Sequence, residues 1–471
     1  MRSFEPGTLV DGFRIEGVMH HGGMATLFDV TQVSDNTRLV MKVPHLAEGD
    51  DPAEIVSFEM EAMIMPRLTG PYVPRFVAAG DFEGQPYIVM ERIEGESLLQ
   101  RLKDLPLPYD EVAAIGCRIG EALHDLHRQH VLHLDIKPSN VIMKPDGGAV
   151  LLDFGLSHHE KLPDLMQEEF RVPFGTGPYM SPEQLLGVRT DPRSDIFSLG
   201  VLLYFFSTGV RPFGESEMLA NMRRRLWRDP KPPRLLRADY PPWLQEVVLR
   251  CLEINPAWRY PTTTQVCFDL ANPGHVALTA RSEKLKRDRW STVLRRRFNP
   301  ELPRPRMSAI AADLSLAPIV LVAVDISEGA ADINETLRLT TAKILATVPS
   351  ARLACLNILK QSRISIDQTL DDEGRNKHLD RLIALRQWAS SLKLDPAQLT
   401  VHVIEASDPA PAILEFVRSN KVDQVIMGAR QGTVMRKILG SVSAKVAAEA
   451  PCTVTVVRPP RFSSRDNGPA A

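Results

Sequence analysis

The apolar residues of this 471-residue chain change their period twice, and that change limits the fold more than any single motif. Over residues 13–93, runs such as FRIEGVM, ATLFDVTQ and RLVMKVP alternate or stay apolar, as strands do, with one helical stretch beginning near Ile55. From Tyr109 to Leu270, EVAAIGCRIGEALHDLH, IFSLGVLLYFF and WLQEVVLRCLE repeat their apolar positions at a period of 3.6. After residue 316, strands and helices alternate. PIVLVAVD is a continuous apolar run, as a strand buried on both faces should be. It is followed by a helix at 332–347, a strand at 352–359, a helix at 375–392 and a strand at 399–405, then a helix at 409–419, a strand at 423–428, a helix at 436–449 and a strand at 452–457. That alternation predicts a doubly wound α/β domain of five strands behind a strand-rich and a helical region.

Composition adds exclusions. The 56 basic and 58 acidic residues leave a net charge of −2, which gives no general reason to expect nucleic acid or a membrane surface as partner. Five cysteines (Cys117, Cys251, Cys267, Cys355, Cys452) are scattered without CxxC spacing, so a disulfide framework or zinc ribbon is not expected and a reducing cytoplasm fits. MRSFEPGTLVDG lacks the apolar core of a signal peptide. The longest apolar stretch, Ile196 to Val210, is 15 residues and reads as a buried helix, too short for a transmembrane segment. Between Arg281 and Arg306 ten Lys/Arg face three Asp/Glu, a net of +7, and Pro300, Pro303 and Pro305 suit an extended spacer. Its first part, EKLKRDRWSTVLRRRF, reads as a helix, either a solvated linker or one docking on an acidic partner, a domain face or anionic lipid.

The chemistry sits in His133-Leu134-Asp135-Ile136-Lys137-Pro138-Ser139-Asn140, with Asp153-Phe154-Gly155 13 residues beyond Asn140. Phosphoryl transfer needs a carboxylate to orient the acceptor hydroxyl, cations to neutralise the moving group and ligands to hold those cations, and HxDxKxxN with DFG supplies each. Further motifs follow the same order: Leu39-Val40-Met41-Lys42, Phe58-Glu59-Met60-Glu61-Ala62, Tyr87 to Ile93, Gly175 to Glu183, Asp195 and Arg259. Together they resemble a bacterial, eukaryotic-like Ser/Thr protein kinase over residues 10–271, a bilobal α+β fold. The resemblance implies ATP and Mg2+ (or Mn2+) as cofactors and a protein substrate with a Ser/Thr acceptor. Asp135 takes the base position, Lys137 meets the γ-phosphate, and Asn140 and Asp153 hold the metal. Lys42 grips the phosphates with Glu61 as its helix partner, leaving Glu59 solvated. Met90 is the gatekeeper, and backbone groups of Glu91 and Ile93 meet adenine in a pocket that Leu27, Val40 and Ile142 also line. Thr176 contacts Asp135 and Lys137, while Asp195 and the Arg259–Glu183 pair are structural.

Two departures stand out. The nucleotide-covering loop reads His20-His21-Gly22-Gly23-Met24-Ala25-Thr26-Leu27, where glycines let backbone amides reach phosphates, so only Gly22 and Gly23 serve. The competing reading is therefore a pseudokinase acting as a nucleotide-responsive scaffold. Leu134 replaces the arginine that many kinases pair with a phosphorylated activation loop, and Ser157 is the sole hydroxyl between Gly155 and Gly175. The expectation is a kinase not switched by activation-loop phosphorylation. His158 and His159 read as exposed.

Residues 316–459 resemble a universal stress protein domain, through Val322-Ala323-Val324-Asp325, Met427-Gly428-Ala429-Arg430 and Gly440-Ser441. The resemblance implies a second nucleotide site at Asp325, Gly428, Gly440 and Ser441, or else a dimerisation or sensing module that makes a homodimer. The organisation is then a kinase domain at 10–271, a basic linker at 272–315, the α/β domain at 316–459 and a disordered tail at 460–471.

Overall fold

The computed structural model describes residues 4–45, 52–81, 84, 86–170, 173–215, 218–298, 317–326, 330–360, 377–395, 398–429 and 441–458. They form two compact units, which divide in the stretch near residue 311.

The first unit opens with strands β1 (Leu9–Val10), β2 (Phe13–His21), β3 (Ala25–Gln32) and β4 (Arg38–Pro44), then helix α1 (Pro52–Ile64), β5 (Phe76–Gly80) and β6 (Tyr87–Glu91). The strands make one antiparallel sheet in the order β1-β2-β3-β4-β6-β5. Its inward residues Ile15, Phe28, Val30, Leu39, Met41 and Val89 pack as a core, the expected result of period-2 alternation.

Short strands β7 (Glu96–Ser97), β8 (Val131–Leu132), β9 (Val141–Met143), β10 (Ala149–Leu151) and β11 (His158–His159) frame the loops between helices in the second lobe. Its helices include α2 (Tyr109–Arg128), α3 (Leu165–Glu169), α4 (Arg193–Thr208), α5 (Leu219–Met222), α6 (Pro233–Leu236), α7 (Pro242–Cys251) and α8 (Thr263–Ala271). α4 is buried over nearly its whole length and stops at Gly209, whose φ of 78° takes the left-handed C-cap position. No helix among the described residues is long and apolar enough to cross a membrane.

The basic stretch lies against this lobe, and its helix is shorter than the sequence suggested. Glu246 accepts hydrogen bonds from Thr279, Ser282 and Arg281, and Arg281 also pairs with Glu253. Lys284 bridges Asp229 and Asp288 at 2.8 Å each. The Gln245 amide donates to the carbonyls of Arg281, Ser282 and Lys284, occupying acceptors that a helix would need for itself. Only Trp290–Phe298 is helical (α9), with Arg296 tied to Asp229 and Asp288. Residues 299–316, with the three prolines, and the tail at 460–471 fall outside the described residues.

The second unit holds β12 (Ile319–Ala323), β13 (Arg352–Lys360), β14 (Leu399–Ala406), β15 (Gln424–Gly428) and β16 (Thr453–Val457), all parallel in the order β14-β13-β12-β15-β16. Helices at Ala331–Thr347, Lys377–Ser390, Pro409–Ser419 and Ser441–Glu449 connect them, which is the doubly wound alternation read from the sequence.

Candidate active site

β8 feeds the loop that carries Asp135, and a buried carboxylate shapes that loop. Asp195, in the first turn of α4 and fully buried, accepts hydrogen bonds from the amides of Leu134 at 2.7 Å and His133 at 2.9 Å and meets His127 Nε2 at 2.8 Å. Burial alone would raise its pKa, but the His127 bond and the neighbouring imidazoles outweigh it and keep the group ionised. Leu134 is thereby held at φ 62°, a costly conformation for a side chain with a Cβ, and Gln184 Nε2 takes its carbonyl at 2.8 Å. The turn presents Asp135 to three partners. Its Oδ1 accepts the Thr176 amide at 3.0 Å, and its Oδ2 meets Lys137 Nζ at 2.7 Å and Asn140 Nδ2 at 3.2 Å. Lys137 also donates to Thr176 Oγ1 at 2.9 Å.

A second cluster joins the two lobes of this unit. Lys42, on β4, reaches Glu61 Oε2 at 2.5 Å and Asp153 Oδ1 at 3.0 Å. Glu61 Oε1 accepts the Phe154 amide at 3.3 Å, which ties α1 to the DFG turn. A Cβ on Gly155 would lie 2.1 Å from Ser57 Oγ, so only glycine permits that approach. Burial pushes all three charges toward neutrality. For Lys42 the Asp153 and Glu61 carboxylates win and hold the ammonium above its usual range, and for Asp153 the charge and hydrogen bond of Lys42 bring the carboxyl down to about 2. Glu61 is 1% exposed, and burial raises its pKa. Glu59, expected in solvent, is 3% exposed, because α1 is buried on nearly every face from Ala53 to Glu61.

The remaining residues of the predicted pocket lie on neighbouring strands. Val40 pairs with Met90 across β4 and β6, and Leu27 pairs with Lys42 across β3 and β4. The Glu91 amide is spent on the Arg75 carbonyl at 2.9 Å, Ile93 follows β6, and Ile142 stands on β9 two residues after Asn140. At the β2–β3 turn, the Gly22 amide donates to the Ala25 carbonyl, and a Cβ there would sit 3.0 Å from that oxygen. His20 occupies an ordinary strand position opposite Leu27, next to a bulge. Thr26 Oγ1 meets His45 Nε2 at 2.9 Å, and the other nitrogen of that ring faces the Gly23 carbonyl at 3.0 Å.

The segment from Asp153 to Glu183 is anchored at both ends. Arg259 grips Glu183 with two bonds, at 2.6 and 2.7 Å. β11 pairs with β8, so His158 and His159 are buried rather than exposed, at 7% each. His158 Nδ1 faces Asp164 Oδ2 at 3.1 Å, and Arg189 donates to the same oxygen at 2.7 Å and to the carbonyls of Leu156 and Ser157. Ser157 is fully buried and donates to the His133 carbonyl at 3.1 Å. Asp164 and Arg189 went unmarked in the sequence; 25 residues apart and in no motif, they gave no local signal.

In the second unit, a cavity of about 730 Å³ opens at the carboxyl ends of β12, β13 and β15, where strand order reverses. Asp325, Gly428 and Ser441 line it with Asn357, Lys377 and Arg381, while Gly440 lies outside the described residues. Asn357 Nδ2 donates to the Val324 carbonyl, and its buried Oδ1 has no partner among the described residues.

Residues 13–269 match the family described as the protein kinase domain, and residues 318–458 match the universal stress protein family. A probable serine/threonine-protein kinase of Clostridium perfringens is 28% identical over 273 residues, 58% of this chain and 38% of that protein. Serine/threonine-protein kinase pkn3 of Myxococcus xanthus is 33% identical over 262 residues, 54% and 48% of the two chains. Tyrosine-protein kinase MasK of Myxococcus xanthus is 34% identical over 260 residues, 52% and 40%. The chain thus spans less than half the length of each of these curated relatives. With the Lys42–Glu61 and Asp135–Thr176 clusters both formed, the chain belongs to the protein kinase family and carries a universal stress protein domain after its kinase domain.

Proposed function

We propose that this chain transfers the γ-phosphoryl group of ATP to Ser/Thr hydroxyls of protein substrates in the cytoplasm. The observation that carries the reading is the formation of both charge clusters at once in one unit. Lys42, steadied by Glu61, stands as the phosphate cation. Asp135, its second oxygen set by Asn140 and Lys137, is placed to orient an acceptor hydroxyl and take its proton. Thr176 meets Asp135 through its backbone amide and Lys137 through its hydroxyl, the two contacts that favour an aliphatic acceptor. Asp153 and Asn140 offer hard oxygen ligands too few for a closed cage, which fits a magnesium ion that keeps waters and substrate phosphates among its ligands. Magnesium, when bound, neutralises charge that gathers on the phosphate oxygens.

Labelled ATP with a generic protein acceptor tests the reading. Transfer should appear on serine or threonine, and Asp135→Asn and Lys42→Met should each reduce it by about a hundredfold or more. Transfer that persists in both variants refutes the assignment. Label on tyrosine alone refutes the acceptor class, and nucleotide binding with no transfer favours the scaffold.

A second reading concerns the universal stress protein domain. Asn357 Oδ1, without a partner among the described residues, faces the switch-point cavity with Asp325, Lys377 and Arg381 in its lining, which supports a nucleotide site there. Calorimetric titration of ATP into the full chain and into Asp325→Ala protein tests it: the variant should lose or weaken one of two binding events.

A further inference from the structure

Two cysteines scattered in sequence meet in the helical lobe. Cys117, on α2, and Cys267, on α8, are 150 residues apart, yet each thiol donates to the other's carbonyl, at 3.4 and 3.3 Å. The helices approach closely because glycines bracket Cys117. A Cβ on Gly120 would lie 2.5 Å from Cys267 Sγ, and one on Gly116 would lie 2.8 Å from Leu270 Cδ1. Both cysteines are only half-buried, whereas Cys251 and Cys355 are sealed in cores.

We propose that Cys117 and Cys267 are a redox modification site, closing to a reversible disulfide that staples α2 to α8 when the protein meets a peroxide. The Cys117 thiolate attacks one peroxide oxygen, breaking the O–O bond to give a sulfenic acid and, after protonation, one water. Cys267 then attacks the sulfenic sulfur. The S–S bond forms, hydroxide leaves, and with the proton given up by Cys267 it becomes a second water. Two thiols are oxidised by two electrons in all, and the peroxide is reduced to two waters. The Cys267 side chain beside it holds the Cys117 thiol below its usual range, which makes Cys117 the first to react. The bond would close a loop containing the catalytic loop, the Asp153–Glu183 segment and α4, and would stabilise the lobe by restricting its unfolded state. Neither sulfur touches the catalytic clusters, so the staple acts on stability and not on the phosphoryl transfer step.

The test treats the full chain with hydrogen peroxide, alkylates free thiols and maps peptides without reduction. The expected result is a linked Cys117–Cys267 peptide that dithiothreitol removes, a melting temperature several degrees higher in the oxidised protein, and kcat unchanged within about twofold. Cys117→Ser and Cys267→Ser proteins should show neither the link nor the rise. Should either substitution unfold the lobe, the wild-type peptide map and its dithiothreitol-reversible melting shift decide alone. Separate oxidation of the two cysteines without a link, or a link that leaves the melting temperature unchanged, overturns the proposal.

Discussion

The loop that carries Asp135 and the turn between β2 and β3 serve the same cleft but are held in opposite ways. The catalytic loop is set from beneath by Asp195, Gln184 and the β8–β11 pairing, all buried. The β2–β3 turn is mostly exposed and held by its own backbone, with Thr26 and His45 alongside. The first loop must aim particular side chains and so depends on partners far away in sequence. The second offers backbone groups, which most residues possess, so His20 and Ala25 stand where the motif has glycines and both still pair with a neighbouring strand.

Removing the catalytic loop's support should have the largest effect. Asp195→Ala leaves the His133 and Leu134 amides buried without an acceptor and Leu134 in a strained conformation held through its carbonyl alone, by Gln184. At about 1–3 kcal/mol for each lost partner, the lobe should lose roughly 3–5 kcal/mol in denaturant unfolding and activity should fall sharply. A loss below about 1 kcal/mol breaks the comparison.

Acid should act on the same side of it. Burial, with the Arg67 charge next, lowers the His159 pKa to about 4, against an ordinary value of 6.5. Between those values the unfolded chain binds a proton that the folded chain refuses, so stability is lost as pH falls through that window. His159→Asn, which retains an acceptor for the Lys161 amide, should flatten the loss by up to about 3 kcal/mol in unfolding measured from pH 7 to 4. Parallel curves for the two proteins would remove His159 as the cause.

The smallest effect belongs to the exposed turn. His20→Gly should shift KM for ATP by about threefold or less, leave kcat alone and cost under about 1 kcal/mol of strand stability. A tenfold change in KM would show that the histidine itself touches nucleotide and would erase the contrast.

How far the site could be read from the chain follows the same division. Lys42, Glu61, Asp135, Asn140 and Asp153 stood out as candidates because the proposed phosphoryl transfer demands those residue types in a fixed order, and the structure gathers them into two clusters. The burial of His158, His159 and Glu59 did not, because whether a polar side chain is covered depends on what packs over it. Nor did the end of the helix read near Glu283, since Gln245 competes for its carbonyls from 36 to 39 residues away.

By itself the sequence determined the alternation of period, hence the two lobes and the five-stranded parallel sheet, and it named the groups proposed to react. Both are local: a period is set by neighbours on one element, and a motif lies within a few residues. Only the tertiary structure decided which distant groups meet. Asp164 finds Arg189, the basic stretch finds Glu246 and Asp229, and Cys117 finds Cys267. Such pairs follow from the packing of whole helices and strands, and nothing in the residues beside them records it.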